Sequence, residues 1–334
     1  MTPALAEVGE RPSISLVRLA ADRIDLVFRD VAANTRALGD QYRTIAADKA
    51  HISEADRTYW TRRAIAQGKT VGFRTWPEGK PAPDFEATFP SYYSYRGFPI
   101  ADETLGHLRN FEHALPLFRA AYSSFAFSWV YLTTADDMML IYPYVPLDQA
   151  VNNALPTKQV FYTAADFQRH AVGWTAPYLD LVGAGLMITA SYPVYDDDRL
   201  LGVVSHDITL RQFSRKVLTH LTQRNAAVAV IVDSRGLAID ASDPALEAEI
   251  ERVNSAKRAA ALFYRSSAGL AKVGDPDKAV SRFDWINAIT ERVLDKAASV
   301  NEPDVLDIDM DERNVLAARI ASTGWFVILI ERKM

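Results

Sequence analysis

The run from Leu200 to Ile208 is almost continuously apolar, yet it ends on His206 and Asp207. A strand of this composition is covered on both faces, so its last carboxylate is carried toward the interior. Moving an ionised carboxylate out of water costs several kcal/mol unless a partner meets it. That partner is either a cation of the protein or a cation brought by a ligand. A structural alternative is a helix N-cap, because Asp207 or Thr209 stands where "DITLRQF" could open a helix. A third possibility is hydrolysis by Asp180, His206 and Asp207. It requires the imidazole to face the carboxylates. Neighbouring strand positions point to opposite sides, which turns His206 away from Asp207.

Other clusters of reactive residues read as solvated surface. Asp196, Asp197 and Asp198 occupy a hairpin turn. Asp307, Asp309 and Asp311 alternate along a strand and lack the glycine and distal glutamate of a calcium loop. His107 and His113 are six residues apart, a spacing that does not share one helical face. Neither a phosphate loop, a dinucleotide glycine motif, a G-x-S-x-G elbow nor an H-E-x-x-H pair occurs. No metal and no cofactor is expected. The absence of cysteine removes disulfides and thiolate chemistry. A net charge of −5, with both signs interspersed, offers no general attraction to nucleic acid.

The elements around Asp207 follow from periodicity. Val17, Ile24, Val31, Leu38 and Ile45 recur every seven residues, which predicts one helix over residues 13 to 48. Such a stripe serves either packing on the helix's own domain or a dimer seam. Residues 60–100 are rich in aromatics, proline and glycine without a period, and read as an ordered loop region. A helix is expected over 104–123, then the hairpin "FSWVYLT"/"MMLIYPY", a helical stretch over 147–172, the strands "LMITASYPVY" and "LLGVVSHDIT", and a helix over 211–224. The second half repeats this order: a hairpin turning at Gly236, a helical segment over 244–298 broken near "GDPD", and three final strands. The expected class is α+β, with two similar antiparallel-sheet modules on one long helix. No apolar run approaches the ~20 residues of a membrane span, and both ends read as cut from a longer protein.

The ordered set Trp174, Pro177, Tyr178 and Asp180, followed by "MITASYPVYDDDRLLGVVSHDITL", resembles the double Cache sensors. So do the long helix, the "SWVYLTTADDMMLIYP" hairpin and the "STGWFVILI" strand. The resemblance implies two PAS-like modules after the helix, divided as helix 13–55, a membrane-distal module 56–212 that holds the ligand, and a membrane-proximal module 213–334. It also implies the extracytoplasmic (periplasmic) part of a bacterial transmembrane receptor of kinase, chemoreceptor or cyclase type. This part would be non-enzymatic, homodimeric in the full-length receptor and anchored by flanking helices outside this chain.

In amino-acid-binding members the aspartate matching Asp207 holds the ligand ammonium, and the residues matching Tyr178 and Asp180 form the opposite wall. The segment Tyr122 to Tyr131 resembles their carboxylate-gripping stretch, with Tyr122 and Trp129 aligned. However, Phe127 stands where an arginine is expected, and Val130 where an aromatic is. Carboxylates and aromatic faces without an arginine favour a cation. The expected ligand is therefore amine-like, unless Arg96 or Arg169 reaches the pocket. Trp129, Tyr131, Tyr142 and Trp174 are candidate walls, with core packing as the alternative for each. Trp129 and Tyr131, two residues apart, share a strand face.

Overall fold

A computed structural model describes residues 12–48, 51–84, 88–124, 129–150, 154–179, 186–210, 217–218, 221–222, 227–254, 261–271, 273, 278–299, 304–310 and 312–333. The chain divides into two compact units. One is Asp30–Thr209; the other joins the residues up to Arg29 with those from Leu210 onward.

Helix α1 spans Pro12–Ala47 and contributes to both units. Its seven-residue stripe is covered by the chain itself: Val17, Ile24, Val31 and Leu38 are all buried. In the C-terminal unit, Asp25 accepts hydrogen bonds from the backbone N–H and the hydroxyl of Ser322. Phe28 meets Trp325 edge to face at 5.4 Å. In the other unit the helix backbone comes so close to Tyr192 that only a glycine fits at Gly39. A Cβ there would lie 2.5 Å from the Tyr192 ring.

The unit Asp30–Thr209 is built on a nine-stranded sheet. Its strands are β1 Ala64–Gln67, β2 Thr70–Phe73, β3 Ser91–Ser94, β4 Val130–Thr134, β5 Met138–Tyr142, β6 Gly173–Trp174, β7 Tyr178–Leu179, β8 Leu186–Asp196 and β9 Arg199–Thr209. They run in the order β1-β2-β3-β5-β4-β9-β8-β6, with β7 also on β8, and every pairing is antiparallel. Helix α2, Glu54–Arg63, starts from a capping box formed by Ser53 and Asp56. Helix α3, Asp102–Ser124, covers one sheet face with Leu105, Leu108, Phe111, Leu115 and Phe118, the stripe its sequence spacing predicts. Burying each such side chain contributes about 1.5–3 kcal/mol.

Two readings of this unit are corrected. Residues 60–100 contain β1, β2 and β3 rather than loop alone. Their short length, four residues each, is too little for a period to show. Among the described residues, 147–172 hold short helices, α4 Leu147–Ala150 and α5 Val160–Thr163, with a 3₁₀ turn at Pro156–Lys158 between them.

The C-terminal unit carries a five-stranded antiparallel sheet. It comprises β10 Val228–Val232, β11 Ala238–Ala241, β14 Val305–Met310, β15 Arg313–Arg319 and β16 Phe326–Arg332, in the order β11-β10-β16-β15-β14. Gly236 turns the first hairpin at φ +91°, a conformation that favours glycine. The helices Pro244–Asn254 and Asp284–Ser299 bury Leu246, Ile250, Ile286, Ile289 and Val293 against the sheet. Between them lie β12 Ala261–Phe263 and β13 Lys278–Val280, paired in parallel. The helical reading of 244–298, broken near "GDPD", is therefore corrected by these two strands, and "GDPD" itself lies outside the described residues. Most of the helix expected over 211–224 also lies outside them. The fold is α+β: a long helix followed by two antiparallel-sheet modules.

Candidate ligand-binding site

Asp207 is 5% exposed, near the end of β9. Its neighbours are set by register. Residues directly opposite in an antiparallel pair share a face, and the next pair points to the other side. Asp207 lies opposite Thr189 of β8. Tyr131 lies opposite Ser205, which lies opposite Ser191. These residues form one face.

On that face the Tyr131 hydroxyl donates to Oδ1 of Asp207 at 2.9 Å, and the Thr189 hydroxyl donates to the same oxygen at 2.7 Å. Tyr178 Oη lies 2.8 Å from Thr189 Oγ1. A threonine hydroxyl has one proton, already given to Asp207, so Tyr178 is the donor of this second bond. The chain of donors runs Tyr178 to Thr189 to Asp207, with Tyr131 arriving from the other side. Thr189 is itself held by Thr175: the Thr189 N–H donates to Thr175 Oγ1 at 2.9 Å, and the Thr175 N–H donates to the Thr189 carbonyl at 3.0 Å.

Burial pushes the Tyr131 phenol well above its ordinary range, and the charge of Asp207 adds to the shift. Tyr131 therefore stays a proton donor at neutral pH. The hydroxyl donors Tyr131 and Thr189 orient the carboxylate but bring no positive charge. The surroundings are aromatic and apolar: Trp129, Tyr131, Tyr93, Met139 and Met187 form one buried cluster, with Tyr178 and Phe161 packed on it. Phe161 of α5 meets Tyr131 edge to face at 5.2 Å. The carbonyl of Trp129 accepts the Asp207 N–H at 2.9 Å.

The structure thus brings Tyr131, Tyr178 and Asp207 together and places Trp129 beside them. It sets three other candidates on the opposite face. Tyr142 lies opposite Val130, which lies opposite His206. Trp174 lies opposite Ala190, which also lies opposite His206. Tyr122 meets Tyr142 edge to face at 5.4 Å in the core under α3. These three side chains share the α3 side of the sheet with His206, which is itself fully buried. The arrangement Asp180–His206–Asp207 is not assembled for hydrolysis, because His206 and Asp207 face opposite sides. Asp180 and Phe127 lie outside the described residues.

Neither alternative arginine is at this site. Arg96 pairs with Glu103 and Asp136, and Arg169 stands 85% exposed beside Asp166.

Thr189, Thr175 and Phe161 were not singled out from sequence. Thr189 is hidden by a bulge. Near the turn Asp196 lies opposite Arg199 and Tyr195 opposite Leu200, but beyond it Val194 lies opposite Gly202, leaving Leu201 as an extra residue. A count made outward from the turn without the bulge sets Ile188, not Thr189, against Asp207. The spacing of His107 and His113 also misleads. His107 Nε2 lies 3.1 Å from Asp136, and one donor atom each of Glu103, His107 and Asp136 falls within 4.8 Å of the others. The Arg96 guanidinium, 3.2 Å from Glu103 and 3.6 Å from Asp136, already supplies positive charge to this group.

Residues 114–215, which include β4, β8 and most of the site, match the family model described as methyl-accepting chemotaxis protein-like, first PDC sensor domain. The sensory domain of the Campylobacter jejuni chemoreceptor Tlp3 (CcmL), solved with isoleucine bound, superposes with a TM-score of 0.50 at 12% identity. The match covers 96% of this chain and 91% of that one. The fold of this chain is that of the Tlp3 sensory domain. The chain also matches the ligand-binding domain of the Pseudomonas aeruginosa PAO1 amino acid chemoreceptor PctC in complex with GABA, at 15% identity and a TM-score of 0.48, over 95% of this chain and 96% of that one. The methyl-accepting chemotaxis protein McpC of Bacillus subtilis (strain 168) is 32% identical over 80 residues, which span 24% of this chain and 12% of that receptor.

Proposed function

We propose that this domain is the extracytoplasmic sensing region of a transmembrane signalling receptor, and that the unit Asp30–Thr209 captures a small molecule through its protonated amine. Asp207 supplies the counter-charge, with Tyr131 and Thr189 holding its carboxylate in place and Trp129, Tyr178 and Phe161 as apolar walls. The observation that supports the reading is a buried carboxylate held in place by the Tyr131 and Thr189 hydroxyls within an aromatic cluster. A ligand ammonium is attracted by that carboxylate, and aromatic faces favour the same sign by about 0.5–2 kcal/mol each. An amine is the finer reading, since Arg96 and Arg169 are engaged elsewhere. A free amino acid is the second reading, favoured by the isoleucine bound to Tlp3, which carries the same ammonium group.

In this reading Asp30–Thr209 is the membrane-distal module and the C-terminal unit the proximal one. No described helix is long and apolar enough to cross a membrane. The proposed receptor is anchored by segments outside this chain and assembles as two copies. Signalling requires the ligand to bind one conformation more tightly than another. Helix α1, which contributes to both units, carries the bias.

The test is a thermal-shift and calorimetric screen of the full chain with alkyl amines, polyamines, amino acids and simple carboxylates. A ligand at 100 times its Kd stabilises by about 2.7 kcal/mol. Amines are expected to shift the melting curve, and Asp207→Ala to abolish the shift with the fold intact. A response to amino acids alone selects the second reading. A response confined to carboxylates lacking nitrogen, or one that survives Asp207→Ala, overturns the assignment.

A further inference from the structure

A separate cavity of about 240 Å³ lies at the other end of the same module, lined by residues of β2 and β3, the loop at Trp76 and the segment between β5 and α4. The sheet order β3-β5-β4-β9 puts three strand steps, roughly 14 Å, between it and the strand of Asp207.

Its walls are aromatic and fixed. Trp76 and Tyr144 meet at 5.6 Å with their rings 83° apart, so the two present surfaces nearly at right angles. The Trp76 indole N–H donates to the Lys80 carbonyl at 3.2 Å, and the Tyr93 hydroxyl donates to the Val145 carbonyl. These bonds fix the polar tip of each side chain on the backbone. Trp76, Tyr93 and Tyr144 are all buried. Gly72 lets Leu147 and Tyr93 pack close at the floor: a Cβ there would stand 3.2 Å from Leu147 and 3.3 Å from Tyr93.

The charge is of one sign. Asp148 is the only charged residue among the described residues lining the cavity, and it is exposed at the rim. Its field reaches the walls: burial raises the Tyr144 phenol, and Asp148 raises it further. An anion finds no cation here, and a metal ion finds one carboxylate where it needs several ligands. A soft, weakly hydrated organic cation suits aromatic faces with a carboxylate at the mouth.

We propose that this cavity is a second binding site, for a small quaternary or N-methylated ammonium ion. The rings of Trp76, Tyr93 and Tyr144 take the methyl groups, and Asp148 faces the charge from the rim. Tyr93 also belongs to the aromatic cluster beside Asp207, so the two sites are separated by removing the Asp207 carboxylate.

The experiment titrates choline chloride into the full chain carrying Asp207→Ala, at constant ionic strength, by calorimetry. The control is 3,3-dimethylbutan-1-ol, which has the same shape without the charge. Choline is expected to bind the Asp207→Ala protein. Adding Trp76→Ala or Asp148→Asn is expected to weaken it by about tenfold, and the alcohol to bind about tenfold more weakly than choline. Asp148 is exposed, so Asp148→Asn keeps the test valid even where Trp76→Ala does not fold, and Trp76→Phe supplies a milder second variant. Equal binding of alcohol and choline overturns the proposal, as does choline affinity unchanged by Asp148→Asn and Trp76→Phe. No choline heat at concentrations up to about 10 mM, where even a weak site would fill, also overturns it.

Discussion

The Tyr131 phenol donates to the Asp207 carboxylate at 2.9 Å across 76 residues of sequence. The bond joins β4 to β9 on the buried aromatic face and fixes where the negative charge sits. Hydrogen bonds to charged groups contribute about 1.5–3 kcal/mol. Tyr131→Phe keeps the ring and removes the donor. It is expected to lower stability in urea by about 2 kcal/mol. Combined with Thr189→Val, the loss should depart from additivity by at least ~0.5 kcal/mol, because both donors serve one oxygen. Additive losses would show that the two hydroxyls do not share Asp207.

Gly202 stands where β9 runs closest to β4. A Cβ there would lie 2.3 Å from the Thr133 carbonyl oxygen and 2.8 Å from the Thr134 Cα, both backbone atoms that cannot swing away. Gly202→Ala is expected to destabilise by more than ~2 kcal/mol, measured as a fall in the denaturant midpoint. An unchanged midpoint would contradict the strand spacing.

Asp136 links stability to acid. Burial opposes its ionisation. The hydrogen bond and charge of His107, the Thr134 hydroxyl and Arg96 outweigh that and lower its pKa from 3.8 to about 2. A carboxyl depressed in the folded state stabilises fully above its unfolded value and loses that contribution as pH falls toward the folded one. The window therefore runs from about pH 4 down to pH 2, and the amount is about 2 kcal/mol. Urea melts in this range should show Asp136→Asn losing less stability on acidification than the parent. Parallel curves would mean that Asp136 is not the group titrating.

Asp25 ties α1 to the turn before β16. Its carboxylate takes the Ser322 N–H at 2.6 Å and the Ser322 hydroxyl, and Arg29 pairs with it at 2.9 Å. Asp25→Ala is expected to cost about 1–3 kcal/mol. Hydrogen exchange should report earlier opening of the first turns of α1. Unaltered exchange there would show that Phe28 on Trp325 suffices to hold the helix.

Periodicity explains what could be read before the coordinates. The seven-residue recurrence in α1 and the apolar stripe of α3 are properties of one segment each, and so is the apolar run that leads to Asp207. Alternation likewise set Trp129 with Tyr131, and His206 against Asp207. What one segment cannot reveal is the register between two. Tyr142 and Trp174 are aromatic and strand-borne like Tyr131, yet pairing turns them to the α3 face. Phe161 sits in a stretch whose short helices carry too few turns for a period to emerge.

The extra residue at Leu201 makes the length of the acidic turn part of the recognition chemistry. Deleting Asp197 or Asp198, with the bulge at Leu201 kept, would slide β8 past β9, substitute the hydrocarbon of Ile188 for the Thr189 hydroxyl, and strip the carboxylate of one proton donor while the aromatic side chains around it stayed in the chain. Homologues with a shortened tip would keep all the recognisable letters and answer to a different stimulus, or to none.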